Sequence, residues 1–196
     1  LDIFSLVFNE PAFFVIDIVV GPVDVYVQRI KACALVVNIG SINGRVYGII
    51  DMIQAIAQQK AIALQNDLDS TELLICADTI VYLANEVIGK PTDEKDAIRL
   101  LNKLSGKKHE VYTGVVLSLN GVSTSFSVKT SVYFRTLTAN EIAHYVTNYE
   151  PLDKAGSYGI QDWIGLIGVE KIDGSYTNVM GLPTQELFRE LQKFQA

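Results

Sequence analysis

Asp78 stands directly after Leu73–Ala77, a short and wholly apolar run that suits a strand covered on both faces. A carboxylate placed there lies at the carboxyl edge of a buried strand, where open α/β sheets bind ligands. It could take a proton from water or hold a metal ion. The competing reading of Asp78 is a turn or helix cap, and Thr79 beside it says less. Lys90, between Gly89 and Pro91, sits on a stiff turn from which an ammonium can reach a phosphate as a point charge, or can simply lie in solvent. Lys60 falls on a predicted helix, by default on its exposed face. The run Asp153-Lys-Ala-Gly-Ser-Tyr-Gly-Ile-Gln161 is denser in chemistry. Its glycines allow close backbone approach, Lys154 brings a cation, and the Gln161 amide can read a base edge as donor and acceptor together. A plain loop is the equal alternative. Gly174–Asn178 and Gly181-Leu-Pro183 share that character, or form a turn entering the last helix. One acid, three lysines and two glycine-rich loops together suggest a site for a polyanion handled with a metal. Composition and spacing go no further.

The elements that must carry these residues can be read from periodicity. Asp51 can cap a helix with Ile53, Ala57 and Leu64 on one stripe and Lys60 further along. The apolar strand ends at Asp78-Thr79, and Ile80–Leu83 can continue it. After the Gly89–Pro91 break, Thr92 is placed to cap a helix with Asp93 and Glu94 in its first turn, where the macrodipole favours anions. Its core stripe is Ala97, Leu101 and Leu104, and Ser105-Gly106 supplies the stop. A strand over Val111–Leu119 leads into Asn120-Gly121, a strong hairpin signal. The returning strand alternates Phe126, Val128, Thr130, Val132 and Phe134 on one face with Ser127, Lys129, Ser131 and Arg135 on the other. Thr138 and Glu141 form a capping box opening a helix with Ile142, Tyr145 and Val146 inward. A glycine-rich loop at 153–159, a strand near Ile164–Val169 and a final helix from Pro183, with Leu187, Leu191 and Phe194 inward, complete the pattern. Interleaved helices and strands with one antiparallel hairpin predict an α/β or α+β class with a mixed sheet.

Bulk properties bound the function. A chain of 196 residues, 49% of them hydrophobic, can bury a good core as one domain or as two small lobes sharing a sheet. The net charge of −6 argues against a nonspecific nucleic-acid binder, which needs a basic face. It leaves room for a phosphate-rich small ligand, because local lysines and a divalent cation can outweigh the global sign. Cys33 and Cys76 lie in apolar stretches without metal-ligand spacing, and neither histidine has a partner suggesting a metal site. The apolar run Phe13–Val20 is interrupted by Asp17 and is too short to span a bilayer. The expectation is a cytoplasmic protein with no membrane and no nucleic-acid partner.

Taken in order, Ala77-Asp78-Thr79, Gly89-Lys90-Pro91, Leu104-Ser-Gly106, His109-Glu110-Val111, Thr113-Gly114, Asp153-Lys-Ala-Gly156, Tyr158-Gly159-Ile-Gln161, Asn178 and Gly181-Leu-Pro183 resemble the Maf family from about residue 51 to the end. The resemblance implies a single Maf-like domain over residues 1–196. It also implies an α/β, Maf/ITPase-like fold: a twisted mixed β-sheet with flanking helices and a cleft between two lobes. The activity it implies is cleavage of a nucleoside triphosphate between the α- and β-phosphates, with a divalent cation, Mg²⁺ or Mn²⁺, assisting. By the same resemblance Asp78 is the proton acceptor and the candidate metal contact. Lys60, Lys90 and Lys154 face phosphates or the metal-bound substrate, and Thr79 and Gln161 take part in base choice. The A-D-T and G-I-Q forms look like the branch acting on dTTP and UTP. A homodimer is an assembly to expect.

Residues 1–50 depart from this pattern. The family's S-x-S-P-R-R loop is not found. Gly21-Pro22-Val23-Asp24 occupies a plausible place without its serines or arginines, Gln28-Arg29 lies too far along, and an acidic V-D-E segment is missing. Either this segment diverges, at a cost to turnover, or the reading frame upstream of residue 50 is displaced. Resequencing the coding DNA separates the two.

Overall fold

A computed structural model describes residues 13–14, 30–33, 48–64 and 72–193. The segments at 21–24 and 28–29 and the side chain of Phe194 lie outside the described residues. Seven strands among the described residues form one mixed sheet: β1 (Phe13–Phe14), β2 (Ile30–Cys33), β3 (Leu73–Leu83), β4 (Glu86–Ile88), β5 (Lys108–Leu119), β6 (Val122–Phe134) and β7 (Val169–Asp173). Their order is β1-β2-β3-β5-β6-β7, with β4 folded back on β3. β2 runs parallel to β3, whereas β1–β2, β3–β4 and β6–β7 are antiparallel. The helices are α1 (Ile49–Leu64), α2 (Glu94–Leu104), α3 (Ala139–Tyr149), α4 (Trp163–Gly168), α5 (Tyr176–Met180) and α6 (Thr184–Lys193). None among the described residues is long and apolar enough to cross a membrane.

The chain divides into two compact units, one of Leu1–Asp78, Gly114–Ser127 and Leu187–Ala196, the other of Thr79–Thr113 and Val128–Glu186. In the first, α1 lays Ala57, Ala61 and Leu64 against Leu74 and Cys76 of β3 and Val116 of β5. Gly114 allows this packing. A Cβ there would lie 2.7 Å from the Ile53 carbonyl oxygen, so the helix backbone rests directly on the strand. The larger core belongs to the second unit. There Ala97, Leu101 and Leu104 of α2, Ile142, Tyr145 and Val146 of α3, and Val132 and Phe134 of β6 are all buried.

Most local expectations hold. The Thr138–Glu141 capping box forms in both directions, and Asn120 and Gly121 both take positive φ, as a two-residue hairpin turn requires. Three expectations are corrected. The cap of α2 is Asp93, not Thr92. The Asp93 carboxylate accepts from the Asp96 N–H, while the Thr92 N–H donates to the Asp96 side chain. Helix α1 begins two residues before Asp51, which sits in its first turn.

Residues 163–168 are helical, and the strand starts only at Val169. An apolar six-residue run reads equally as a buried strand or a helical turn by composition. The packing decides: Ile164, Gly165 and Gly168 turn inward, Leu166 stays 75% exposed, and an added Cβ on Gly168 would meet Leu137.

Candidate active site

Asp78 does not end its strand. β3 continues through Leu83, so position at a carboxyl edge is not what exposes the carboxylate. Its exposure coincides with a break in the burial of the strand. Along β3, only Ala77, Asp78 and Thr79 are consecutive half-buried residues. The described pairing with β2 runs from Leu73 to Cys76, and that with β4 covers Val81 to Leu83.

In the first unit, Lys60 on α1 reaches this stretch. Its Nζ lies 3.0 Å from Asp78 Oδ1 and donates to the Ala77 carbonyl at 3.4 Å. The expectation of an exposed-face lysine is overturned, because the Lys60 side chain is 4% exposed while that of Asp78 is 30% exposed. The helical period explains the burial: Lys60 lies four residues after Ile56 and three after Ala57, on the packed face of α1. A buried ammonium needs an anionic partner, and Asp78 is that partner. The pair therefore orients a carboxylate whose side chain stays 30% exposed.

In the second unit, the Gly156 N–H donates to the Gly89 carbonyl at 3.0 Å and joins the 153–157 turns to the Gly89-Lys90-Pro91 turn. Lys90 and Lys154 are thus brought onto neighbouring segments. Gly156 has φ of +71°, and a Cβ would press on Val81 and Leu104, so glycine is required there. Lys90 is exposed. Lys154 is half-buried and ion-paired to Asp153 at 2.9 Å.

The loop that follows is anchored by the Tyr145 hydroxyl. Burial and the Asp162 carboxylate hold the Tyr145 phenol above its ordinary range, and it donates to Asp162 Oδ2 at 2.6 Å while accepting the Gly159 N–H at 3.1 Å. Gly159 itself packs against the Asp162 carboxylate, where a Cβ would come within 2.5 Å. Gln161 projects, exposed, from the turn between these anchors.

Tyr158 in the same loop is buried against His109 and Phe134 and shares a 2.7 Å hydrogen bond with His109 Nε2. Burial pushes the His109 imidazole down to about 4 from its ordinary 6.5. The unfolded chain therefore binds the proton first as pH falls. Stability present above pH 6.5 should be lost between there and about pH 4, on the order of 3 kcal/mol. Chemical denaturation across that window checks this. A His109→Gln variant should show a flatter pH dependence, and an unchanged slope would remove His109 as its source.

Sequence reasoning missed a buried hydroxyl–amide network behind Thr79. Thr79 Oγ1 lies 2.8 Å from Thr113 Oγ1, and Thr113 donates to the Asn178 carbonyl at 3.0 Å. The Asn178 amide donates to the Val111 carbonyl and to Thr130 Oγ1, and Thr130 in turn bonds both backbone groups of Ser175. Thr113 and Asn178 belong to motifs noticed in the sequence, but they are 65 residues apart and no spacing announces their contact.

Residues 42–194 match the family profile described as Maf-like protein. Relatives carrying the name dTTP/UTP pyrophosphatase include one from Bacteroides fragilis, 53% identical over 138 residues, and one from Phocaeicola vulgatus, 56% identical over 138 residues. A third, from Bacteroides thetaiotaomicron, is 49% identical over 138 residues; each alignment covers 70% of this chain and 72% of the relative.

Proposed function

This chain belongs to the Maf family, and from that premise we propose that it is a nucleoside-triphosphate pyrophosphatase acting on dTTP and UTP. It cleaves between the α- and β-phosphates, releasing the monophosphate and pyrophosphate. The observation that carries the reading is the half-exposed Asp78 carboxylate, held at 3.0 Å by a lysine that is itself buried. In this reading Asp78 takes the proton from the attacking water and Lys60 keeps the carboxylate oriented. Lys90 and Lys154 neutralise charge on the leaving pyrophosphate, and Thr79 and Gln161 meet the base.

A divalent cation, Mg²⁺ or Mn²⁺, fits this donor set if much of its coordination comes from substrate. Among the described residues no group of three or more His, Cys, Asp or Glu side chains gathers. One carboxylate with triphosphate oxygens is nevertheless a set that Mg²⁺ commonly takes, and Asp78 is the residue that would hold it. When bound, the cation supplies charge neutralisation at the phosphoryl oxygens. The role that follows is removal of unwanted nucleotides from the cytoplasmic pool.

Purified protein incubated with a nucleotide panel and Mg²⁺ or Mn²⁺ should release pyrophosphate, fastest from dTTP and UTP. Release from no nucleotide by a folded protein would overturn the proposal. A second reading is a catalytically impaired homologue that binds nucleotide or regulates cell division. It is favoured by the family match beginning only at residue 42, downstream of the place where an arginine loop would lie. Calorimetry showing tight nucleotide binding without hydrolysis would select it.

A further inference from the structure

The network behind Thr79 fixes where one proton goes. A threonine hydroxyl has one hydrogen to donate and two lone pairs to accept with. Thr113, fully buried, gives its hydrogen to the Asn178 carbonyl, an acceptor that cannot reciprocate. With that hydrogen on the carbonyl, which also accepts the Gly181 N–H at 3.1 Å, the donor in the 2.8 Å contact between the two hydroxyls is Thr79. The carbonyl is itself fixed, because the Asn178 side chain is tied to Val111 and Thr130 and its backbone N–H is capped by Ser175. Gly181 lies beside it: a Cβ there would stand 3.6 Å from Thr79 Oγ1, in ordinary contact. Thr79 itself is only half-buried, and its proton is committed to Thr113.

We propose that Thr113 is a positioning residue that turns the Thr79 hydroxyl into an acceptor only, so that the site prefers bases presenting a ring N–H. Uracil and thymine offer a donor at N3, flanked by two carbonyl acceptors. Cytosine offers an acceptor at N3, which would meet the Thr79 lone pairs without a proton between them. A base that cannot pair leaves both groups desolvated and unsatisfied, which is worth about ten-fold or more in discrimination. This rests on the pyrimidine-triphosphate reading above and adds the device by which one pyrimidine would be told from the other.

The test compares wild type with Thr113→Val, which keeps the volume and removes the hydroxyl, and with Thr113→Ser, which restores it. Preference is read twice: as kcat/KM for UTP against CTP, and as calorimetric affinity for the α,β-methylene analogues of the same two nucleotides, which needs no turnover. Wild type and Thr113→Ser should favour uridine by about ten-fold or more, and Thr113→Val should bring the ratio close to one, because its Thr79 is free to donate. A purely structural role would lower both nucleotides together and leave the ratio intact, which overturns the inference. Equal collapse in Thr113→Ser overturns it as well, as does a wild type that binds both analogues equally. If wild type discriminates between the analogues, Thr113→Val does not, and no nucleotide is hydrolysed, the positioning role stands and the enzymatic reading fails.

Discussion

Asp78→Asn is expected to lower turnover of dTTP and UTP by about a thousand-fold while leaving the fold intact. An amide of the same shape cannot accept the proton of the attacking water, and a positioned general base is worth roughly 10²–10⁴ in rate. The same variant carries a stability signature that ordinary loss of a catalytic group would not. Lys60 is buried to 4% exposure and relies on Asp78 for its negative partner. Removing that charge strands an ammonium away from water and should cost about 2 kcal/mol. The reverse variant, Lys60→Met, leaves behind a carboxylate that is 30% exposed and can hydrate, so its stability cost should be smaller although its activity also falls. Thermal unfolding beside steady-state rates for the two variants reads both effects. Full activity in Asp78→Asn would take this residue out of the mechanism. Equal stability losses would show that the pair is not asymmetric in the way its burial suggests.

Gly114→Ala should damage the site from a distance. The added methyl would lie 2.7 Å from the Ile53 carbonyl oxygen, 2.8 Å from its carbon and 3.1 Å from the Gln54 nitrogen, all of them helix backbone. No side chain can rotate away to relieve the contact, so α1 itself must shift. Overpacking of this kind costs about 1–3 kcal/mol. Lys60 lies two turns further along the same helix, and a shift approaching 1 Å at a catalytic geometry can cost about a hundred-fold in rate. The expected result is a protein that still folds at low temperature but turns over slowly well below its melting point. A variant with wild-type stability and rate would mean that the strand, not the helix, absorbs the methyl, and that Lys60 is positioned independently of this contact.

How much of this was legible beforehand differs element by element. The capping box at Thr138 and Glu141, the Asn120-Gly121 turn and the inward stripes of α2 and α3 are local physics, and each appears where periodicity and turn chemistry put it. The Trp163–Gly168 segment shows where that logic stops, since an apolar run of six satisfies two periods equally. Neighbouring backbone at Ile160 and the Leu137 side chain settled it. Lys60 failed for a related reason. A lysine on an amphipathic helix belongs in water unless something buried requires its charge, and the requirement sits 18 residues away on β3.

The sequence by itself determined the family, the α/β class and the identity of the candidate residues, because ordered motifs and short-range periodicity are written in neighbouring positions. Only the tertiary structure decided which of those residues share an environment: Lys60 with Asp78, the Lys90 turn with the Lys154 turn, Thr79 with Thr113 and Asn178. Ion pairs and hydrogen bonds act over about 3 Å of space whatever their separation along the chain, so Thr79 meets a hydroxyl 34 residues later and, through it, a carbonyl 99 residues later.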